Sequence, residues 1–163
     1  MPGQVHSPSD LWKLLMSKHM ARSEKVPKSR FNIDAYLHPD NDRPGSFNVP
    51  GGFFLDEDLD QFDPSVFSIS PVEALWMDPQ QRKLLEVVYE AFESSGTPMS
   101  VLDGSDDGGP GKKIGCFVGC FSLDFQFMTM KESDFRHSVT AMGVDTGILA
   151  NRVSHVFDLK GPR

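Results

Sequence analysis

Cys116 and Cys120 are the chain's only cysteines and its obvious nucleophile candidates. They lie within the run Ile114-Gly115-Cys116-Phe117-Val118-Gly119-Cys120-Phe121, and if that run is extended their four-residue spacing puts both on one face. A reactive thiolate needs a base or a cation beside it. This apolar run offers neither, so both are expected to be inert core cysteines, and a thiol enzyme working through Cys120 is a minor reading. Zinc is disfavoured too, because Cys-x-x-x-Cys on a strand lacks the knuckle geometry of Cys-x-x-Cys and would have to recruit His137 or His155. His6, His19, His38, His137 and His155 are scattered among polar neighbours, and His155 is the one expected to be partly buried, in a packing role. Asp56-Glu57-Asp58-Leu59-Asp60 lacks the alternating acids, turn glycine and closing glutamate of a calcium loop, so it reads as a solvated turn ahead of a short helical turn. The residues alone compose no catalytic constellation.

The elements that position these residues are marked by their caps. Ser7-Pro8-Ser9-Asp10 combines an N-cap serine, a proline at the first helical position and an acid three residues after the cap, ahead of an amphipathic helix ending near Lys18 to Met20. Residues 21–53 are loop-like, punctuated by proline and glycine. Their aromatics, Phe31, Tyr36, Phe47 and Phe53 with Phe54, suggest packing against a larger body. Ser70-Pro71-Val72-Glu73 is a second capping box, opening a short helix through Met77. Asp78-Pro79 starts the strongest helix, Pro79 to Ser95. Its stripe of Leu84, Leu85, Val87, Val88, Tyr89, Ala91 and Phe92 is wide enough to predict burial on more than one side, and Gly96 sits where a C′ glycine belongs.

Residues 103–113 form a Gly-rich insertion without phosphate-loop spacing. Ile114 to Phe121 reads as a fully buried sheet strand, and Leu123 to Met130 as a short helix whose Phe and Met fill the core. The last element carries Ile148, Leu149, Arg152, Val153, Val156 and Phe157 at helical spacing, and Gly161-Pro162 stops it. One strand makes no sheet, so its partners must come from elsewhere.

Composition bounds the function classes. The 163 residues suit one domain, the hydrophobic share of 39% is somewhat low, and 12 Pro with 14 Gly point to long loops. Sixteen basic against 23 acidic residues give a net charge of −7, which argues against a nucleic-acid or anionic-membrane partner. No apolar run approaches a spanning helix, and Met1-Pro2-Gly3-Gln4-Val5-His6 has no secretory character. Two cysteines suit a reducing compartment, with the cytoplasm as the default expectation.

Several stretches together resemble the β-ketoacyl synthase domain of fungal type I polyketide synthases of the highly reducing kind. They are SPSDLWKLL at Ser7 to Leu15, VPKSRF at Val26 to Phe31, YLHPDNDRPG at Tyr36 to Gly45 and GGFFLDEDLDQFDPSVFSIS at Gly51 to Ser70. MDPQQRKLLEVVY at Met77 to Tyr89, GCFVG at Gly115 to Gly119 and GILANRVSHVFDLKGP at Gly147 to Pro162 follow in the same order. The resemblance covers nearly the whole chain, residues 1–163, leaving the insertion as its idiosyncratic part.

The resemblance implies an α/β, thiolase-like fold in partial form, helices around an incomplete sheet. It also implies homodimeric assembly and decarboxylative condensation of acyl and malonyl thioesters. The partner is an acyl carrier protein, whose phosphopantetheine arm carries the thioesters, and no further cofactor or metal is implied. The family's nucleophilic cysteine follows a Gly-Pro like Gly161-Pro162, and its two histidines lie further on, so none of the three maps onto this sequence. The family's first strand, nucleophile strand and C-terminal half have no counterpart here either, so the chain alone is expected to be non-catalytic. Cys120 and Phe121 would lie near the acyl pocket, and Thr140 near the pocket floor and the dimer contact. The alternative expectation is a pairing or assembly module that binds an intact synthase.

Overall fold

The computed structural model describes residues 1–40, 42–97, 114–133 and 140–163, so the 103–113 insertion and His137 lie outside the described residues. The chain packs as two compact units, Met1–Asp58 and Leu59–Arg163.

In the first unit, helix α1 spans Pro8–Ser17. Ser7 Oγ accepts from the Asp10 amide at 3.1 Å and donates to the Asp10 carboxylate at 2.7 Å, closing the predicted cap around Pro8. The helix buries none of its residues: Leu11 and Leu14 are half-covered, while Trp12, Leu15 and Met16 are exposed. The loop that follows is held by backbone. Ser23 N donates to Gly52 O and Val26 N to Pro50 O, both at 2.8 Å, and a second isolated bridge joins Leu37 to Phe47. Gly51 is required here, since a Cβ on it would sit 2.0 Å from Ser23 O. Within this chain Phe31, Tyr36, Phe47 and Phe53 of the loop are exposed, so among the described residues no larger body covers them. Three of them pack edge-on or tilted in a row instead, Phe31 to Tyr36 at 6.1 Å and Tyr36 to Phe47 at 6.2 Å between ring centroids.

In the second unit, Asp63 caps a 3-10 turn at Pro64–Phe67, α2 spans Pro71–Leu75 and α3 spans Pro79–Ser94. Ser70 and Asp78 serve as their N-caps with proline in the first turn, and Gly96 takes φ +72 past the end of α3. Further on come α4 at Asp124–Thr129, α5 at Thr140–Val144 and α6 at Leu149–Val156. The core gathers Phe67, Ile69, Ala74, Met77, Leu85, Val153, Phe157 and Leu159, with α3 lying against α6. Phe67 is its hub: it stacks on Phe62 at 5.5 Å and meets Tyr89 and Phe157 edge-on.

Three expectations change. The α3 stripe is covered on one side only; Leu85 is fully buried, but Val87 is 56% exposed and Ala91 is exposed. The 114–121 run is extended but not part of a sheet, and no strand is present among the described residues. Among the described residues, its backbone pairs with 161–162, through Gly161 N to Ile114 O at 3.1 Å and Cys116 N to Pro162 O at 2.9 Å. Finally, Phe127, Met128 and Met130, at or beside α4, are exposed and fill no core.

Candidate functional site

A shallow groove of about 310 Å³ lies where α3 passes the 118–120 segment. Gln80, Lys83, Leu84 and Val87 line one wall; their spacing places them on one helical face. Val118, Gly119 and Cys120 form the other wall, and Leu149 at the start of α6 closes the end.

Cys120 is exposed, against the expectation of a buried core cysteine, and Cys116 is half-buried. Among the described residues the run is covered on one side, where Ile114 and Cys116 pack against the core, while Phe117 and Phe121 are exposed. The Cys120 Sγ lies 3.3 Å from Gln80 Oε1 and 3.6 Å from Ser122 O, two acceptors within reach of its single S–H. Gln80 is itself set by the α3 cap, because Asp78 Oδ1 accepts from Gln80 N at 2.8 Å and Asp78 Oδ2 accepts from Gln80 Nε2 at 3.1 Å. The cap therefore aims the amide oxygen at the thiol. Both hydrogen-bond partners of the thiol are acceptors, and neither is a base that could take its proton; Lys83 is the cation among the groove's lining residues.

The other two residues singled out from the sequence are not drawn together with Cys120 in this groove. Phe121 projects into solvent at 102% exposure. Thr140 is buried at the start of α5, and its Oγ1 has no hydrogen-bond partner among the described residues. Further along the same segment, Gln81 Nε2 on α3 donates to Met142 O at 3.1 Å and to Asp145 O at 3.3 Å, and Asp78 N donates to Gly143 O at 2.8 Å.

A second cavity, of about 530 Å³, was not foreseen. It is lined by Ser68, Glu73, Tyr89, Arg152 and His155 with apolar neighbours. Arg152 Nη1 donates to Glu73 Oε1 at 2.7 Å, and both side chains are largely shielded. The Tyr89 phenol is held above its ordinary value by its hydrogen bond to Glu93, with the same carboxylate's charge adding to the effect. His155 is exposed here and not the partly buried histidine expected, because it lies on the outer side of α6 while Val153 faces the core. Glu73 and Arg152 each had a local role in the sequence, as a capping-box acid and a member of a helical stripe, and no local signal joins them. Among the described residues no group of three or more His, Cys, Asp or Glu could hold a metal ion. Nor is any described helix long and apolar enough to cross a membrane.

Comparison with known proteins gives one consistent result. The family described as "Beta-ketoacyl synthase, N-terminal domain" matches residues 1–163. The chain is 62% identical over 162 residues to "Reducing polyketide synthase DEP5" of Fusarium langsethiae, and 48% identical over 162 residues to "Highly reducing polyketide synthase 19" of Pyricularia oryzae. Each alignment takes in 99% of this chain, which spans 6% of the length of either relative. Among solved structures, the oxazolomycin ketosynthase domain OzmH KS7 of Streptomyces albus JA3453 superposes with TM-score 0.76 at 31% identity, over 94% of this chain and 25% of that one. The ketosynthase from module 6 of the bacillaene synthase of Bacillus subtilis 168 does so with TM-score 0.71 at 30% identity, over 94% of this chain and 22% of that one.

Proposed function

The chain belongs to the β-ketoacyl synthase family, carries part of its thiolase-like α/β fold and has fungal reducing polyketide synthases as relatives; from that premise we propose that it is the N-terminal portion of a polyketide synthase's condensing domain. The reaction of such a domain is a decarboxylative condensation. A malonyl thioester on a carrier protein loses CO₂, and the carbanion formed attacks the carbonyl of an acyl group held as a thioester on an enzyme cysteine. The carbon–carbon bond forms as the cysteine sulfur leaves as thiolate. In this reading the residues of the chain contribute framework and pocket wall, with Cys120 and Phe121 near the acyl chain and Thr140 near the floor and the dimer contact. The carrier protein with its phosphopantetheine-borne thioesters is the working partner, and no metal or other cofactor is assigned.

The observation that carries this reading is the family match along all of residues 1–163, joined to a groove in which both hydrogen-bond partners of the Cys120 thiol are acceptors. The chain on its own is accordingly proposed to be non-catalytic. Incubating the 163-residue protein with a radiolabelled acyl thioester, followed by peptide mapping, tests it. The expected result is no stable acyl group on Cys116 or Cys120. A stoichiometric acyl-cysteine at either position would overturn the non-catalytic assignment.

A second reading is favoured by one observation, the exposure of Phe117 and Phe121 on a segment whose backbone has few partners. Such an edge is a template for pairing, so the chain could act by joining an intact synthase. Co-purification of a tagged chain with a full-length synthase is the expected result of that reading, and recovery of the chain alone refutes it.

A further inference from the structure

Gln80 and Cys120 stand 40 positions apart in sequence and meet across the groove, with Gln80 Oε1 3.3 Å from Cys120 Sγ. Both residues are exposed. The contact is fixed from the other end of the amide. Asp78, only 4% exposed, caps α3; its Oδ1 accepts from Gln80 N at 2.8 Å and its Oδ2 from Gln80 Nε2 at 3.1 Å. A flipped amide would set its oxygen against the Asp78 carboxylate, acceptor on acceptor, so the network assigns the orientation. The amide oxygen therefore faces the sulfur, and the thiol proton is what the sulfur can offer it.

We propose that Asp78 and Gln80 are positioning residues in a polarity relay that holds Cys120 as a protonated hydrogen-bond donor. The carboxylate takes the donor end of the amide, and the acceptor end is thereby turned on the sulfur. A thiolate in that place meets the lone pairs of the amide oxygen, whereas a thiol meets an acceptor. This inference rests on the reading of Cys120 as a residue near acyl chains carried as thioesters. Such a cysteine can capture the acyl group: it gives up its proton, the thiolate attacks the thioester carbonyl, the carbon–sulfur bond to the carrier breaks, and the carrier sulfur leaves and takes up a proton. The relay opposes the first of these steps. Lys83, the cation among the lining residues, favours it, but the Lys83 Nζ lies 2.9 Å from Glu86 Oε2, which offsets its charge.

Asp78→Asn reverses the relay while keeping the cap, since asparagine caps a helix as well as aspartate does. Its Oδ1 still accepts from the Gln80 backbone N–H, and its Nδ2 then faces the Gln80 side chain. Two NH₂ groups cannot bond each other, so the amide turns to present Oε1 to the asparagine and Nε2 to the sulfur. A donor aimed at the sulfur favours the thiolate. Gln80→Met keeps an unbranched side chain on the helix and removes both ends of the amide.

The experiment follows alkylation of the 163-residue protein by iodoacetamide at neutral pH, with peptide mapping to give separate rates at Cys120 and Cys116. Asp78→Asn should speed modification of Cys120 about threefold, a modest factor because water competes for a contact between two exposed residues. Gln80→Met should fall between wild type and Asp78→Asn. The double variant should match Gln80→Met alone, because Asp78 acts only through the amide. Cys116 should keep its wild-type rate throughout, which a general loosening of the fold would not allow. An unchanged Cys120 rate in Asp78→Asn overturns the proposal. So does further acceleration by Asp78→Asn in the Gln80→Met background, which shows a direct effect of the lost charge, or a parallel rise at Cys116. Each of these results leaves the family reading standing, and acyl-thioester labelling tests the non-catalytic assignment separately.

Discussion

Arg152 on α6 and Glu73 on α2 form an ion pair at 2.7 Å, joining helices separated by 79 positions of sequence. The Arg152 side chain is 10% exposed and that of Glu73 23% exposed, and a further bond runs from Arg152 Nη2 to Met142 O at 3.4 Å. Three elements of the second unit meet at this one guanidinium. Substituting Glu73→Gln keeps the shape and strands the arginine charge. It should lower unfolding stability by about 2–4 kcal/mol, while Glu73→Gln combined with Arg152→Met should recover much of the loss. A double-mutant cycle in urea measures the coupling, and additive effects would refute it.

Gly143 gives a sharper steric case. A Cβ there would lie 2.3 Å from Trp76 O, at the point where Gly143 O accepts from Asp78 N. Gly143→Ala should cost about 1–3 kcal/mol by forcing α5 off α2. Gly119 has nothing within 4 Å, so Gly119→Ala should change stability by less than about 0.5 kcal/mol. Thermal melts of the two variants compare them directly.

The one-sided burial of α3 is tested along the helix. Leu85→Ala removes a side chain with 0% exposure, and a loss of about 2–5 kcal/mol is expected. Val87→Ala, at a position 56% exposed, should cost less than about 0.5 kcal/mol. Similar losses at both sites would mean that the groove wall is covered in solution.

Acid should loosen the start of the 3-10 turn at Pro64–Phe67. The Asp63 carboxyl is held below its ordinary 3.8, first by the Ser65 hydroxyl at 2.6 Å and then by the Ser65 amide at 2.9 Å. With the folded value depressed, the cap's contribution is complete above pH 3.8 and is lost as pH falls through the lower folded value. Asp63→Asn can still cap but cannot titrate, so its stability should vary less with pH below 3.8. Urea midpoints at a series of acidic pH values read the difference; parallel curves would refute it.

Thiol labelling should separate the two cysteines. Cys120 is exposed and Cys116 half-buried, so a maleimide should modify Cys120 first. Peptide mapping at partial labelling decides it, and preferential modification of Cys116 would contradict the packing of the 114–121 run.

What could be read from the sequence was what is encoded locally. Ser7, Ser70 and Asp78 cap where their neighbours Pro8, Pro71 and Pro79 predict, and Gly96 ends α3 with the positive φ expected of it. The family resemblance was legible because it rests on ordered residue strings such as Met77 to Tyr89 and Gly147 to Pro162. Burial was misread wherever an apolar run implies neighbours. Phe117, Phe121, Phe127 and Val87 look like core, yet each faces open space, since apolar residues state a preference for cover and not its presence. The Glu73–Arg152 pair escaped because nothing local in either segment points to the other. The Gln80–Cys120 contact escaped for a related reason, as the thiol's expected surroundings were a sheet.

Four turns and helices of this protein begin the same way, at Ser7-Pro8, Asp63-Pro64, Ser70-Pro71 and Asp78-Pro79. Each start is a two-residue punctuation mark read without reference to any distant part of the chain. A loop between two of them can therefore gain or lose residues without rotating the next helix about its own axis. Leu85 keeps its phase toward Phe157's side of the core because the count to it begins at Asp78 and at no earlier residue. In this architecture length is free to drift between the marks, and the angular frame of each helix restarts at its own cap.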